Sequence, residues 1–302
     1  MRVFHPTNAA PLSRRALLGA ALGVPFLGKV KAGSEERIAV VDWAMLETLL
    51  ALGIVPVATT ELIQFRKIAI EPRVPPQVAD LGLRGSPNYE MLRLANPDLI
   101  VSSPWFAWAT DHLERIAPVA SYAIYEPGRP PYSPAEQVMK ALGERLGRDR
   151  QAQLSLEAAA SEIEGAKRLL VGKAGRPVFL INLGDARHFR VFGADSMFGD
   201  VLQRLGFQNA WPRPTSYGAA APIPLEALAE VPEASIVIVS PVPPDAEGTL
   251  ARSPLWHAIP AVRSKRVVTI PPINPFGALP AACRFARLFT EALSSASGQS
   301  HG

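Results

Sequence analysis

Asp80-Leu81-Gly82-Leu83-Arg84-Gly85-Ser86-Pro87-Asn88-Tyr89-Glu90-Met91-Leu92 leads almost directly into Asn96-Pro97-Asp98-Leu99-Ile100-Val101-Ser102. A Gly-rich turn carrying one arginine is followed by a helix start and then by a short apolar run of the kind that makes a buried strand. The same order returns as Leu225-Glu226-Ala227-Leu228, through Pro232, into Ser235-Ile236-Val237-Ile238-Val239-Ser240. A repeated unit of this type predicts two related α/β lobes, and two lobes imply a cleft between them. Arg84 on its turn marks a place for an anionic or oxygen-rich ligand, because a guanidinium keeps its charge and offers several donors in a fixed fork.

Outward from this unit the alternation continues. Ile38 to Val41 reads as a strand, Trp43 to Leu52 as a helix closed by Gly53, and Ile54 to Ala58 as a second strand. Further strands are expected at 98–102, 119–124, 178–181, 236–239 and 266–270, with helices at 134–146, 198–205 and 279–295 and a frayed Ser-rich tail after Leu293. Between the lobes, residues 150–171 carry Leu154, Leu156, Ala159, Ile163, Ala166, Leu169 and Leu170 near helical spacing. The expected organisation is an N-terminal lobe at 33–148, a connecting helix at 149–172 and a C-terminal lobe at 173–302. The fold class is therefore α/β, with two Rossmann-like lobes joined by a single long helix and a ligand cleft between them.

The first 32 residues read as a removable address. Ser13-Arg14-Arg15-Ala16-Leu17-Leu18-Gly19, an apolar stretch to Leu27 and the small-x-small end Val30-Lys31-Ala32 make a twin-arginine export signal, too short and too rich in Gly and Ala for a bilayer anchor. Cleavage is expected after Ala32. The chain has 31 basic and 27 acidic residues; five of the basic and none of the acidic lie in this segment, leaving 26 against 27. The basic balance thus belongs to the address, and nucleic-acid binding has no support. Cys283 is the only cysteine, so an exported chain of this kind has no internal disulfide and depends on packed cores. No cysteine follows the signal to accept a lipid, which points to a soluble periplasmic protein, expected to be a monomer.

Candidate ligand contacts sit where open α/β sheets hold their ligands, beyond the carboxyl ends of the strands. Trp105, Phe106 and Trp108 follow the strand that ends at Ser102, Trp43 follows the first strand, and Tyr217 lies in a Gly- and Ala-rich loop. Aromatic side chains there can wall an organic ligand, or simply pack on their own lobe. Glu90 and Glu226 open the short helices of the two repeats; the helix dipole favours an acid there, and their matched placement also offers a docking pair. The sequence holds no nucleophile elbow, phosphate-cradling loop, dinucleotide fingerprint or zincin motif. Asp185 and His188 suit a salt bridge or turn hydrogen bond better than a metal site.

The mature chain resembles the periplasmic iron(III)-hydroxamate siderophore-binding proteins of ABC uptake systems. The resemblance rests on the twin-arginine start, on Trp43 with Leu49-Leu50-Ala51-Leu52-Gly53-Ile54-Val55-Pro56, and on Gly82-Leu83-Arg84 with Pro87-Asn88. It continues through Arg115-Ile116-Ala117-Pro118, Arg187-His188 with Val191-Phe192-Gly193, Asn209-Ala210-Trp211, and Pro254-Leu255-Trp256. It implies two lobes, one long helix and little hinge movement, with Arg84 on the hydroxamate oxygens and with Glu90 and Glu226 docked to arginines of a membrane permease. The ligand would be an Fe(III)-siderophore chelate whose siderophore holds the iron, so no protein metal ligand and no covalent cofactor is implied. Departures fall in the lining: a family tyrosine is replaced by Phe106, a tryptophan by Ser102, and an indole by Tyr217, while the late aromatic cluster is reduced to Phe276 within Ile273-Asn274-Pro275-Phe276. Two rivals stay open from the residues themselves. One is a cobalamin or haem carrier, haem favouring an axial His or Tyr such as Tyr217; the other is a periplasmic α/β hydrolase using Ser102 or Ser103, which would need a base.

Overall fold

Ile38–Val40 is buried on both faces and becomes β1, the central strand of a first sheet. The structure is a computed structural model that describes residues 36–215 and 222–298; the segment read as an export signal and Tyr217 lie outside them. Asp42 ends the strand and opens α1 (Trp43–Ala51) by accepting from the amides of Ala44 and Met45 at 2.8 and 3.0 Å. The chain continues through β2 (Ala58–Thr59), α2 (Leu62–Ile68), β3 (Ala79–Asp80), α3 (Tyr89–Leu94), β4 (Leu99–Ser102), a 3₁₀ turn at Pro104–Ala109, α4 (Thr110–Glu114) and β5 (Val119–Ser121). All pairings are parallel, in the order β3-β2-β1-β4-β5. The second strand starts later than its apolar run suggests. The Ile54 amide is spent closing α1 on the Leu49 carbonyl, and Pro56 has no amide for a ladder, so pairing begins at Ala58.

Two long helices follow, α5 (Tyr132–Arg145) and α6 (Asp149–Leu169). They cross closely: a Cβ on Gly143 would stand 2.6 Å from the Ala152 Cβ. On α6 the buried stripe is Ala152, Ala159, Ile163 and Ala166, whereas Leu154 and Leu169 face solvent. Small residues take the buried positions because neighbouring helices approach there.

The second lobe contains β6 (Val178–Leu183), β7 (His188–Val191), α7 (Met197–Arg204), β8 (Ile223–Pro224), a 3₁₀ turn at Leu225–Ala229, β9 (Ser235–Val239), α8 (Pro244–Leu250), α9 (Pro254–Ala258), α10 (Pro260–Arg263), β10 (Val267–Ile270) and α11 (Leu279–Gly298). Its sheet runs β10-β9-β6-β7-β8, parallel across the first three strands and antiparallel at β7 and β8. This mixed sheet departs from a plain Rossmann-like lobe. The cause is the hairpin at Asp185, whose carboxylate accepts from the Arg187 and His188 amides and meets the His188 ring at 3.0 Å, turning the chain back beside β6. Where fraying after Leu293 was expected, α11 continues to Gly298, with Ser295 donating to the Glu291 carbonyl.

The apolar core is continuous from one lobe to the other, including Met45 and Leu49 of α1, Met139 and Leu142 of α5, Phe198 of α7, and Phe285 and Phe289 of α11. Cys283 is half-buried beside this core, and burial pushes its thiol up to about 12, so it stays protonated and unreactive. Polar ties reinforce the join. Tyr132 N donates to Asp200 at 2.8 Å, and Arg204 pairs with Asp200 while lying 4.1 Å over the Tyr132 ring. Arg287 bridges Glu71 and Glu162 at 2.6 and 3.0 Å.

Candidate functional site

A cleft of about 430 Å³ opens between the lobes. Nearly all of its first-lobe wall comes from residues just beyond the carboxyl ends of parallel strands: Asp42 after β1, Glu61 after β2, Arg84 after β3, Ser103 to Phe106 after β4, and Ile124 with Tyr125 after β5. Strand order reverses between β1 and β4, and there Ser103 Oγ donates to Asp42 Oδ2 at 2.8 Å. This is the topological switch point, where strand ends splay apart and leave a crevice. The second lobe contributes Arg190 from β7 and Phe276 from the loop after β10.

Arg84 is held on three sides. Its guanidinium lies 4.0 Å above the Trp43 ring, its Nε donates to Glu61 Oε2 at 2.7 Å, and its backbone N donates to Glu61 Oε1 at 3.2 Å. Trp43 is fixed in turn, its indole donating to the Thr60 carbonyl at 3.2 Å and its ring set edge-on to Phe65. Among the described residues nothing bonds the two Nη groups of Arg84, so the side chain is pre-organised for an oxygen-rich ligand. Asp42 lies half-buried beneath, and its desolvation raises its pKa against the hydrogen bonds from Ser103, Met45 and Ala44 and the nearby Arg84 charge.

Of the residues singled out in the sequence, the structure brings Arg84, Trp105, Phe106 and Phe276 together around the cleft. Trp105 is 68% exposed at the rim, while Phe106 is 1% exposed and belongs to the first lobe's core. Trp43 is not a wall but the floor under Arg84, because the helix that starts at Asp42 carries its ring inward. Trp108 lies farther along the 3₁₀ turn, exposed and outside the lining. Tyr217 lies outside the described residues. Glu90 and Glu226 are exposed, each in the first turn of its short helix, away from the cleft lining.

Sequence reading missed Asp42, Glu61, Tyr125 and Arg190. An acid directly before an apolar helix could have flagged Asp42; Glu61 gives no such signal. Tyr125 closes the cleft from below, donating its hydroxyl to the Gly277 carbonyl at 2.6 Å with its ring edge-on to Phe276. Ser102 and Ser103 have no histidine near them among the described lining residues, and Ser103 is committed to the helix-capping Asp42. His112 stacks on Tyr89 and His257 meets the Ala251 carbonyl. Among the described residues no cluster of His, Cys, Asp and Glu is placed to hold a metal ion.

Two α/β lobes joined by a long helix, with one arginine held in place in the cleft between them, have the architecture of a solute-binding protein. The chain belongs to the periplasmic binding protein family, whose model matches residues 38–273. It is 30% identical to the iron(3+)-hydroxamate-binding protein FhuD of Escherichia coli K12, over 93% of this chain and 97% of that protein. It is 22% identical to the Fe(3+)-citrate-binding protein YfmC of Bacillus subtilis, over 78% of this chain and 73% of that one. Among solved structures, the Fe3+–Desferal-bound siderophore-binding protein FhuD of Vibrio cholerae superposes with a TM-score of 0.80 at 27% identity, covering 86% of this chain and 98% of the other. The triscatecholate siderophore-binding protein FeuA of Bacillus subtilis shares the fold, with a TM-score of 0.67 at 18% identity over 86% and 92% of the two chains.

Proposed function

We propose that this protein captures a ferric hydroxamate siderophore in the periplasm and delivers it to an inner-membrane ABC importer, after export by the twin-arginine route. The observation that carries the reading is the Arg84 clamp: a guanidinium stacked on Trp43 and pinned by Glu61 presents its Nη donors to a cleft walled by Trp105, Tyr125 and Phe276. Hydroxamate oxygens around iron carry partial negative charge and accept such donors, while the carbon skeleton of the siderophore meets the aromatic wall. The 30% identity to the Escherichia coli hydroxamate-binding protein along almost its whole length supports the same ligand class. The siderophore holds the iron, so the protein needs no metal ligand of its own.

On this reading Glu90 and Glu226 are the acids that meet the permease, and a single copy suffices for delivery. A haem-type ligand has less support, since Tyr125, the tyrosine in the described lining, gives its hydroxyl to the Gly277 carbonyl. The test is titration of the purified mature protein with ferric hydroxamates, ferric catecholates, haem and cobalamin, read by tryptophan fluorescence. Trp105 stands at the rim and Trp43 under Arg84, so a coloured chelate should quench both. Saturable quenching strongest for a ferric hydroxamate is the expected result; response to haem or cobalamin alone overturns the reading.

A further inference from the structure

Glu61 occupies a position that an acid rarely takes. It is the N-cap of α2, yet its backbone is left-handed, with φ 51° and ψ 41°, and its side chain makes no capping bond to its own helix. A non-glycine residue in that region is uncommon, and local backbone strain of this kind concentrates at functional sites. The carboxylate turns instead to the neighbouring strand end, where both oxygens accept from Arg84, one from the backbone N and one from Nε. The Glu61 amide donates to the Gly82 carbonyl at 2.7 Å, so a single residue ties the turn after β2 to the turn after β3. Its side chain is 19% exposed, at the cleft surface and not at the protein's exterior.

The consequence is electrostatic as well as geometric. The charged residues among the described lining are Asp42, Glu61, Arg84 and Arg190, two of each sign. Arg84, the donor best placed for chelate oxygens, therefore works with its charge cancelled by a partner touching it. A neutral or cationic chelate loses nothing by this, because Nη hydrogen bonds remain. A trianionic chelate gains hydrogen bonds but little net attraction, and each of its charges also feels Glu61.

We propose that Glu61 is the charge-selectivity determinant of the cleft: it positions Arg84 through Nε and, by cancelling its charge, favours neutral and cationic ferric chelates over trianionic ones. This rests on the ferric-siderophore reading above. The test compares wild type with Glu61→Gln, in which the amide oxygen can still accept from Nε but the charge is gone. Both proteins are titrated by tryptophan quenching with a neutral ferric trihydroxamate, a cationic one and a trianionic ferric tris-catecholate, at low and high salt. The expected result is a rise of about tenfold or more in catecholate affinity relative to the neutral trihydroxamate, shrinking as salt is added. Cationic trihydroxamate should lose affinity relative to the neutral one. If Glu61→Gln does not fold, Glu61→Asn, whose side chain tolerates the left-handed backbone, should show the same shift in preference.

A purely structural role would lower affinity for all three ligands by one common factor, and that outcome overturns the inference while leaving the siderophore reading intact. If wild type binds none of the three, the siderophore reading falls and the inference falls with it.

Discussion

Arg84 concentrates the chemistry of the cleft, and its neighbours show what its loss would do. Removing the side chain leaves Trp43 in place, because that ring is held by Thr60 and Phe65 and not by the guanidinium. Arg84→Ala should therefore fold normally while losing a charge-assisted hydrogen bond worth about 1.5–3 kcal/mol, or roughly ten- to a hundredfold in affinity for a ferric hydroxamate. Titration with a melting curve as control measures it, and wild-type affinity would remove Arg84 from the site. The position of Arg84 in the cleft lining follows the expectation from a lone arginine on a Gly-rich turn between strands, although such a turn can also carry a plain surface arginine. Glu61 and Arg190 were not, because the first depends on a left-handed turn and the second on an unforeseen hairpin; neither leaves a mark in local composition. Trp43 was legible as a site aromatic, but its role as support follows from α1 turning it inward.

The N-terminus of α11 shows the same interplay one level up. The loop before it carries Asn274, Gly277 and Ala278, and these close on Glu47 of α1, which is buried with Asn274 Nδ2 at 2.7 Å, Ala278 N at 2.8 Å and Ala281 N at 3.3 Å. A Cβ on Gly277 would stand 2.5 and 2.7 Å from the Glu47 carboxylate oxygens and would also collide with Ala281. Gly277→Ala should thus destabilise by about 1–3 kcal/mol, seen as a lower urea midpoint, since neither neighbour has room to yield. Burial pushes the Glu47 pKa up to about 8 from 4.5, despite the three N–H donors that favour the carboxylate. Between those values the folded protein holds a proton that the unfolded chain has released, so stability falls as pH rises through the window, by up to about 1.4 kcal/mol per pH unit for one proton. Glu47→Gln should flatten that slope in urea titrations at a series of pH values. Asp42, whose pKa is also raised, contributes the same sign in both proteins, so equal slopes would show that Glu47 does not titrate there. Long elements such as α5, α6 and α11 were legible from periodicity, whereas β2, β3 and β8 have two residues each and carry no period to read.

At the scale of the whole molecule, the cleft is framed by parts that cannot swing apart without exposing apolar surface. The core runs unbroken between the lobes, and Tyr125, Glu47, Tyr132 and Arg287 each bond across the join. Hinge closure would break these contacts together, so ligand capture is expected to leave the outline of the protein nearly unchanged. Under the proposed delivery function, a permease would then have to read fixed surface groups. Glu90 and Glu226, exposed in the first turns of matched short helices, are the groups that the two-lobe repeat sets in equivalent places, and neither lines the cleft. Their charge contributes little to the fold, since an exposed acid at a helix start is worth typically 0.3–1 kcal/mol. The double variant Glu90→Lys with Glu226→Lys should accordingly bind ferric siderophore with wild-type affinity and melt within a few degrees of it. In cells lacking the native protein it should fail to support siderophore-dependent iron uptake, because the acids that would pair with the permease have become cations. Each single reversal should leave an intermediate rate if the two contacts act on separate halves of a permease. Uptake at the wild-type rate by the double variant would remove both acids from the docking surface, and a parallel loss of binding would move them into the cleft.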